Sequence, residues 1–266
     1  MTFGFIGTGN MGGALARAAR RRLEGSQILL TNRTAEKAEE LADELDARTP
    51  VNNAALAAAA DYIFLGVKPQ MMGELLEELA PILAERAGRF VLVTMAAGLT
   101  VADICRLAGG TYPVLRIMPN TPCSVGEGMV LYAPGPGVTE AETETFLEAM
   151  AGAGRFARIP EGLMDAGSAV AGCGPAFADL FIEALADGGV ACGLPRAQAL
   201  ELAAQMLAGS ARLALESGKH PGELKDAVCS PGGTTIQGVR KLEEAGFRGA
   251  VMNAVIAAFE KSGKLK

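Results

Sequence analysis

The chain has 266 residues, half of them apolar and a fifth charged; that is too hydrophobic for a disordered chain and long enough for two domains, each with its own core. A net charge of −6 and an isoelectric point near 5.1 offer no general attraction to a phosphate backbone, which argues against a nucleic-acid partner. Five cysteines without CxxC spacing and a single histidine argue against a metal site, a disulfide framework and a Ser-His-Asp hydrolase.

The first residues lead directly into an apolar run with no basic and apolar leader pattern, so a cytoplasmic protein is expected. The longest uncharged stretches, such as 90–102 and 166–178, run about a dozen residues, short of the roughly 18–20 that cross a bilayer. A soluble protein with no membrane partner is expected. Along residues 1–160, aliphatic runs at 2–6, 28–31, 62–67, 90–94 and 114–118 alternate with helical patterns at 13–22, 36–47 and 71–87. This is the βαβ rhythm of a doubly wound parallel sheet, a Rossmann-like α/β domain. Thr139 with Glu142 three residues on predicts a capped helix that closes it. Residues 161–266 lack strand signals and predict an all-α domain. There Pro195 and Gly218 bracket a helix over 196–217, whose leucines point in nearly all directions and so call for a partner chain.

Gly7-Thr8-Gly9-Asn10-Met11-Gly12 follows the first strand and opens a helix, the context in which G-x-G-x-x-G binds a dinucleotide. Bare glycines let the backbone approach a pyrophosphate, and the helix start offers unpaired N–H groups. At the end of the second strand an NAD site carries a carboxylate for the ribose. Here Asn32, Arg33 and Thr34 stand instead, which favours the 2′-phosphate of NADPH while leaving NADH possible; the alternative is a solvated arginine at a helix start. Val67-Lys68-Pro69 and Ala96-Ala97-Gly98, at the ends of later strands, are further cofactor candidates, with Lys68 equally able to cap a strand end. His220, before Pro221-Gly222, fits a helix cap better than a general acid.

The loop 226–235, Asp-Ala-Val-Cys-Ser-Pro-Gly-Gly-Thr-Thr, enters a helix. Successive N–H groups at such a junction suit a carboxylate, and a neighbouring hydroxyl suits a ring nitrogen, although plain loops share this composition.

With Phe5-Ile6-Gly7, Val67-Lys68-Pro69, the run 116–122 (Arg-Ile-Met-Pro-Asn-Thr-Pro), 172–177 (Gly-Cys-Gly-Pro-Ala-Phe) and 220–226 (His-Pro-Gly-Glu-Leu-Lys-Asp), this loop makes the whole chain resemble the pyrroline-5-carboxylate reductases. The resemblance implies hydride transfer from NADPH to the imine carbon of 1-pyrroline-5-carboxylate, giving L-proline. It implies that Gly232, Gly233 and Thr234 hold the substrate carboxylate with Ser230 nearby, that Thr235 is catalytic through the ring nitrogen, and that Glu161 lies near the substrate. It adds Asn53 to the cofactor contacts and implies a helical dimerisation domain interlocked with a second copy, possible larger assemblies included. Where the family commonly has Ser-Gly-Ser-Gly-Pro-Ala-Tyr, this chain has Ala171, Cys173 and Phe177, so those three hydroxyls are not essential here. Competing readings are a β-hydroxyacid dehydrogenase, whose catalytic lysine would stand in the segment 172–180 where this chain has none, and a non-catalytic NADP-sensing protein.

Overall fold

The computed structural model describes residues 1–263. The chain divides into two compact units: Met1–Cys173 together with the end of the last helix from Ala258, and Gly174–Ala257.

The first unit runs β1 (Phe3–Ile6), α1 (Asn10–Arg20), β2 (Ile28–Thr31), α2 (Ala35–Leu45), α3 (Asn53–Ala59), β3 (Tyr62–Leu65), α4 (Met72–Glu85), β4 (Val91–Thr94), α5 (Val101–Leu107), β5 (Val114–Met118), β6 (Gly128–Pro134), α6 (Glu140–Met150), β7 (Gly154–Arg158) and α7 (Met164–Gly167). The sheet order is β2-β1-β3-β4-β5-β6-β7. Strands β1 to β5 are parallel, β6 runs against β5, and β7 is parallel to β6. The five parallel strands fall where the aliphatic runs predict them. β6 and β7 are additions: β6 carries the apolar run Met129–Ala133 bounded by Gly128 and Pro134, and β7 sets exposed arginines among half-buried residues.

Alternation along each strand divides the core in two. Phe3, Phe5, Leu30, Phe64, Val93 and Ile117 face Leu15 of α1, Leu41 of α2 and Phe146 of α6. Leu29, Ile63, Leu65, Leu92 and Val114 face Leu56 of α3, Leu76 of α4 and Ile104 of α5. On the first face Phe3 stacks on Tyr62 at 4.7 Å between ring centroids and Phe5 on Phe64 at 4.2 Å. Each fully buried side chain of this size contributes roughly 1.5–3 kcal/mol. Both outer edges of the sheet are modified: Leu30 and Ile28 of β2 exchange backbone hydrogen bonds with Arg48, and β7 presents Arg155 and Arg158 to solvent.

Residues 161–173 pack with this first unit, so the compact boundary falls about a dozen residues beyond the point where strand signals cease. Met164 is fully buried against Met118, Leu131 and Ala133. The Asn120 amide donates to the Ala171 carbonyl at 3.0 Å, within the π-helical turn Ser168–Gly172.

The second unit contains α8 (Gly174–Ala191), α9 (Arg196–Ser217), α10 (Pro221–Ala227), α11 (Thr234–Glu244) and most of α12 (Phe247–Gly263). Pro195 and Gly218 flank α9 as expected, Gly218 in the left-handed conformation at φ 64°. Among the described residues of α8 to α12 only Ala186, Ala199 and Ala203 are buried. Leu180, Leu213, Leu215 and Met252 are more than half exposed. The continuous helical run Glu161–Ala191 is long and apolar enough by composition to cross a membrane, contrary to the count of uncharged residues alone. Asp179, Glu183 and Asp187 recur along it at four-residue spacing, an acidic stripe that is costly in hydrocarbon.

One polar cluster locks the lower end of the sheet to α6. Thr139 and Glu142 form the expected capping box, Arg89 pairs with the Glu142 carboxylate at 2.6 Å, and the Tyr62 hydroxyl donates to the Glu142 carbonyl at 2.7 Å. The Arg89 hydrogen bond, opposed by burial and helped by Thr139, pushes the Glu142 carboxyl down to about 2 from its ordinary 4.5. A depressed folded-state value means that this stabilisation is complete above about pH 4.5 and disappears as the pH falls through about 2. Glu142→Gln is therefore expected to cost about 1 kcal/mol at pH 7. Its urea midpoint should converge on the wild-type value near pH 2, which paired unfolding curves at the two pH values would show.

Candidate active site

The chain leaves β1 and β3 toward opposite faces of the sheet, into α1 on one side and α4 on the other, which opens a crevice at their carboxyl ends. Register aligns Ile6 with Thr31, Ile6 with Leu65, and Leu65 with Thr94. The segments 7–12, 32–34, 66–69 and 95–98 consequently emerge along one edge.

Glycine is required where the backbones meet. Gly7 turns out of β1 at φ +95°, and a Cβ there would lie 2.7 Å from the Gly66 carbonyl oxygen. A Cβ on Gly66 would meet the Gly7 oxygen at the same distance, and one on Gly12 would fall on that oxygen. The Gly7 N–H donates to Thr31 O and the Gly66 N–H to Ile6 O, each at 2.8 Å. Gly9 differs: nothing stands within 4 Å of where its Cβ would be. It is the N-cap of α1, with no side-chain cap and no acid in the first turn, so N–H groups around Asn10 and Met11 are left for an anion. The Thr8 N–H donates to Asn32 Oδ1 at 3.2 Å, and Asn32 Nδ2 to Thr34 O at 3.0 Å, tying the glycine turn to the end of β2. The Thr8 hydroxyl is buried without a partner. An open glycine cradle, an uncapped helix start and an orphaned hydroxyl fit a bound pyrophosphate.

Around this cradle Arg33 is exposed and forms no ion pair with any described residue. Val67 is half-buried, Lys68 is exposed, and Pro69 begins a short 3₁₀ turn. Ala96 is buried, Ala97 exposed, and Gly98 turns at φ +80°. Asn53 opens α3 and donates to Glu78 Oε2 at 3.3 Å. Gly66 had escaped sequence reasoning; its only signal was a glycine directly after the third strand.

Glu161 sits in the first unit. Its Oε1 accepts from the Val101 N–H at 2.7 Å and lies 3.3 Å from Arg116 Nη1, while Arg116 Nη2 lies 3.5 Å from Asp165 Oδ1. Arg116 is only 3% exposed, and its Nε has no partner. Neither Arg116 nor Asp165 had been assigned a role.

The remaining candidates lie in the second unit. Gly232 adopts φ +70°, and the Gly233 N–H donates to Ser230 O at 3.0 Å; a Cβ on Gly233 would collide with the Ser230 hydroxyl. Gly233 is the N-cap of α11, with no side-chain cap and no acid in the first turn. Thr234 and Thr235 are exposed there. This helix start can receive a carboxylate with a hydroxyl beside it. His220 caps α10, its Nδ1 accepting from the Gly222 N–H at 3.1 Å. Among the described residues no three His, Cys, Asp or Glu side chains form a metal-binding group.

Residues 161–265 match the family model described as pyrroline-5-carboxylate reductase dimerisation, and residues 2–98 match that described as NADP oxidoreductase, coenzyme F420-dependent. The chain is 41% identical to pyrroline-5-carboxylate reductase of Escherichia coli K12, covering 98% of this chain and 97% of that protein. It is 39% identical to that of Pisum sativum, over 99% and 96% respectively. Among solved structures, the Coxiella burnetii enzyme aligns with a TM-score of 0.92 at 30% identity over 100% of this chain and 98% of its own. The Plasmodium falciparum enzyme, solved with NADP bound, aligns at 0.85 with 32% identity over 99% and 97%.

The two kinds of glycine separate experimentally. Gly12→Ala is expected to lower the melting temperature, because its Cβ has nowhere to go. Gly9→Ala should melt like the wild type and yet bind a pyridine dinucleotide about tenfold or more weakly, which calorimetric titration beside thermal unfolding would resolve.

Proposed function

Because the chain belongs to the pyrroline-5-carboxylate reductase family, we propose that it reduces 1-pyrroline-5-carboxylate to L-proline with NADPH, the last step of proline biosynthesis. Similarity over almost the entire length to reductases of that one activity carries the reading. When bound, NADPH supplies a hydride to the imine carbon, and the ring nitrogen takes up a proton, so that C=N becomes CH–NH and NADP⁺ is left.

The protein's part is placement. Gly7, Thr8, Gly9, Asn10, Met11 and Gly12 hold the pyrophosphate at the start of α1. Arg33, unpaired and exposed, takes the 2′-phosphate with Asn32 and Thr34. Asn53, Val67–Pro69 and Ala96–Gly98 complete the cofactor side, with small residues leaving room for the nicotinamide ring. Gly232 and Thr234 offer backbone N–H groups to the substrate carboxylate beside Ser230, while Gly233, whose own N–H is held by Ser230 O, shapes the turn. The Thr235 hydroxyl orients the ring nitrogen. An imine accepts a proton from water readily, so holding the two reacting carbons in line provides most of the acceleration.

The exposed apolar surface of α8 to α12 supports a homodimer, since each leucine removed from water contributes roughly 1.5–3 kcal/mol. The match of residues 161–265 to a dimerisation family supports the same reading. Five free thiols accord with a reducing cytoplasm.

The test is NADPH oxidation on adding the imine, with proline identified as product and NADH run alongside; absence of turnover from folded protein would sink the reading. Thr235→Ala is expected to lower kcat on the order of tenfold to a hundredfold without weakening NADPH binding. Arg33→Ala should raise KM for NADPH about tenfold and leave that for NADH nearly unchanged.

A further inference from the structure

The cluster on β5 has no part in the assignment above, yet it lies directly behind the loop 95–100. Arg116 is paired across the sheet with Thr94, the last residue of β4 before that loop. Its guanidinium lies 3.3 Å from Glu161 Oε1, the atom that accepts the Val101 N–H at 2.7 Å, immediately after the loop. A single buried residue is thus tied to both ends of a six-residue connection, by backbone register at one and through Glu161 at the other. The rest of the far end is also secured: the Thr100 N–H donates to Asp103 Oδ2 and the Asp103 N–H to Thr100 Oγ1. Asp165 supplies Arg116 with a second carboxylate at 3.5 Å.

Such a cluster is a poor way to gain stability. Burying the guanidinium, with Asp165 largely and Glu161 partly covered, carries a desolvation cost, and a well-packed apolar group of the same volume holds a fold as well or better. Charge-assisted hydrogen bonds, in contrast, fix direction, and this one fixes the N–H that sets where the 95–100 backbone lies.

We propose that Glu161 and Arg116 are positioning residues for hydride transfer: they clamp the 95–100 loop and so hold the nicotinamide side of the cofactor site. The inference rests on the reading of Ala96–Gly98 as cofactor contacts. It gives Glu161 a role through the loop rather than as a substrate ligand.

Glu161→Ala removes the clamp, whereas Glu161→Gln keeps an amide oxygen for the Val101 N–H. In the full-length protein, Glu161→Ala is expected to lower kcat on the order of tenfold to a hundredfold, with KM for the imine changed by less than about twofold. A larger isotope effect with 4-deuterated NADPH should accompany the loss, and backbone amide exchange over 95–101 should accelerate. Glu161→Gln should recover most of the rate and of the protection. A raised KM for the imine with kcat preserved and exchange unaltered would identify Glu161 as a substrate ligand and overturn the clamp. So would wild-type kinetics and exchange in Glu161→Ala. Wild-type protein in the same assay separates the two levels: its failure to form proline defeats the functional reading, while exchange over 95–101 still decides the clamp without any turnover.

Discussion

Two backbones that touch with no side chain between them govern the first unit. Where the chain leaves β1 it passes within contact distance of the chain leaving β3, and Gly7, Gly12 and Gly66 are the residues that permit it. That contact brings the start of α1 down onto the crevice. It also keeps the strands in a register that lets four connecting loops emerge along one edge. An anion-binding helix start is common; here it is set at the point where the sheet reverses its winding, and this makes it a cofactor site. Gly9, where a Cβ would meet nothing, and Gly12, where it would strike the Gly7 carbonyl, show that one fingerprint serves two physical purposes, room for a ligand and room for the fold.

The second unit presents the opposite problem. It has the apolar content of an interior and almost no interior of its own, because α8 to α12 bury only three alanines. Its helices are regular, with α9 ended by Gly218 and α10 capped by His220, so the deficit lies in packing rather than in secondary structure. A second copy is the economical remedy, and it explains how Glu161–Ala191 passes for a membrane span by composition while carrying an acidic stripe.

Local physics was legible in the sequence. Five strands, the capping box at Thr139, the span of α9 and the cap at His220 depend on neighbours a few residues away, and each was expected from those neighbours. The glycine turn and the Ser230–Thr235 loop were legible for the same reason. β6 and β7 were not: β6 is an apolar run laid antiparallel to β5, which a βαβ rhythm does not anticipate, and β7, at the rim, has no continuous aliphatic run. Nor was the association of residues 161–173 with the sheet unit, because it rests on Met164 and Asn120 finding partners tens of residues distant. The Arg116 cluster is the extreme case. Val101, Arg116 and Glu161 are ordinary in their own surroundings, and only the fold brings them together across separations of 60 and 45 residues.

The treatment of the sheet's rims has a consequence for self-association. A sheet with free rims recruits further strands, and such growth has no natural end. Here β2 is already engaged by Arg48 on its outer side, and β7 places Arg155 and Arg158 where an incoming strand would have to desolvate them. Strand addition is discouraged at both rims, leaving helix faces as the adhesive surface. Adhesion through helices that pair symmetrically exhausts itself once each face is covered. The same chain can therefore be sticky and still form particles of finite size rather than fibres.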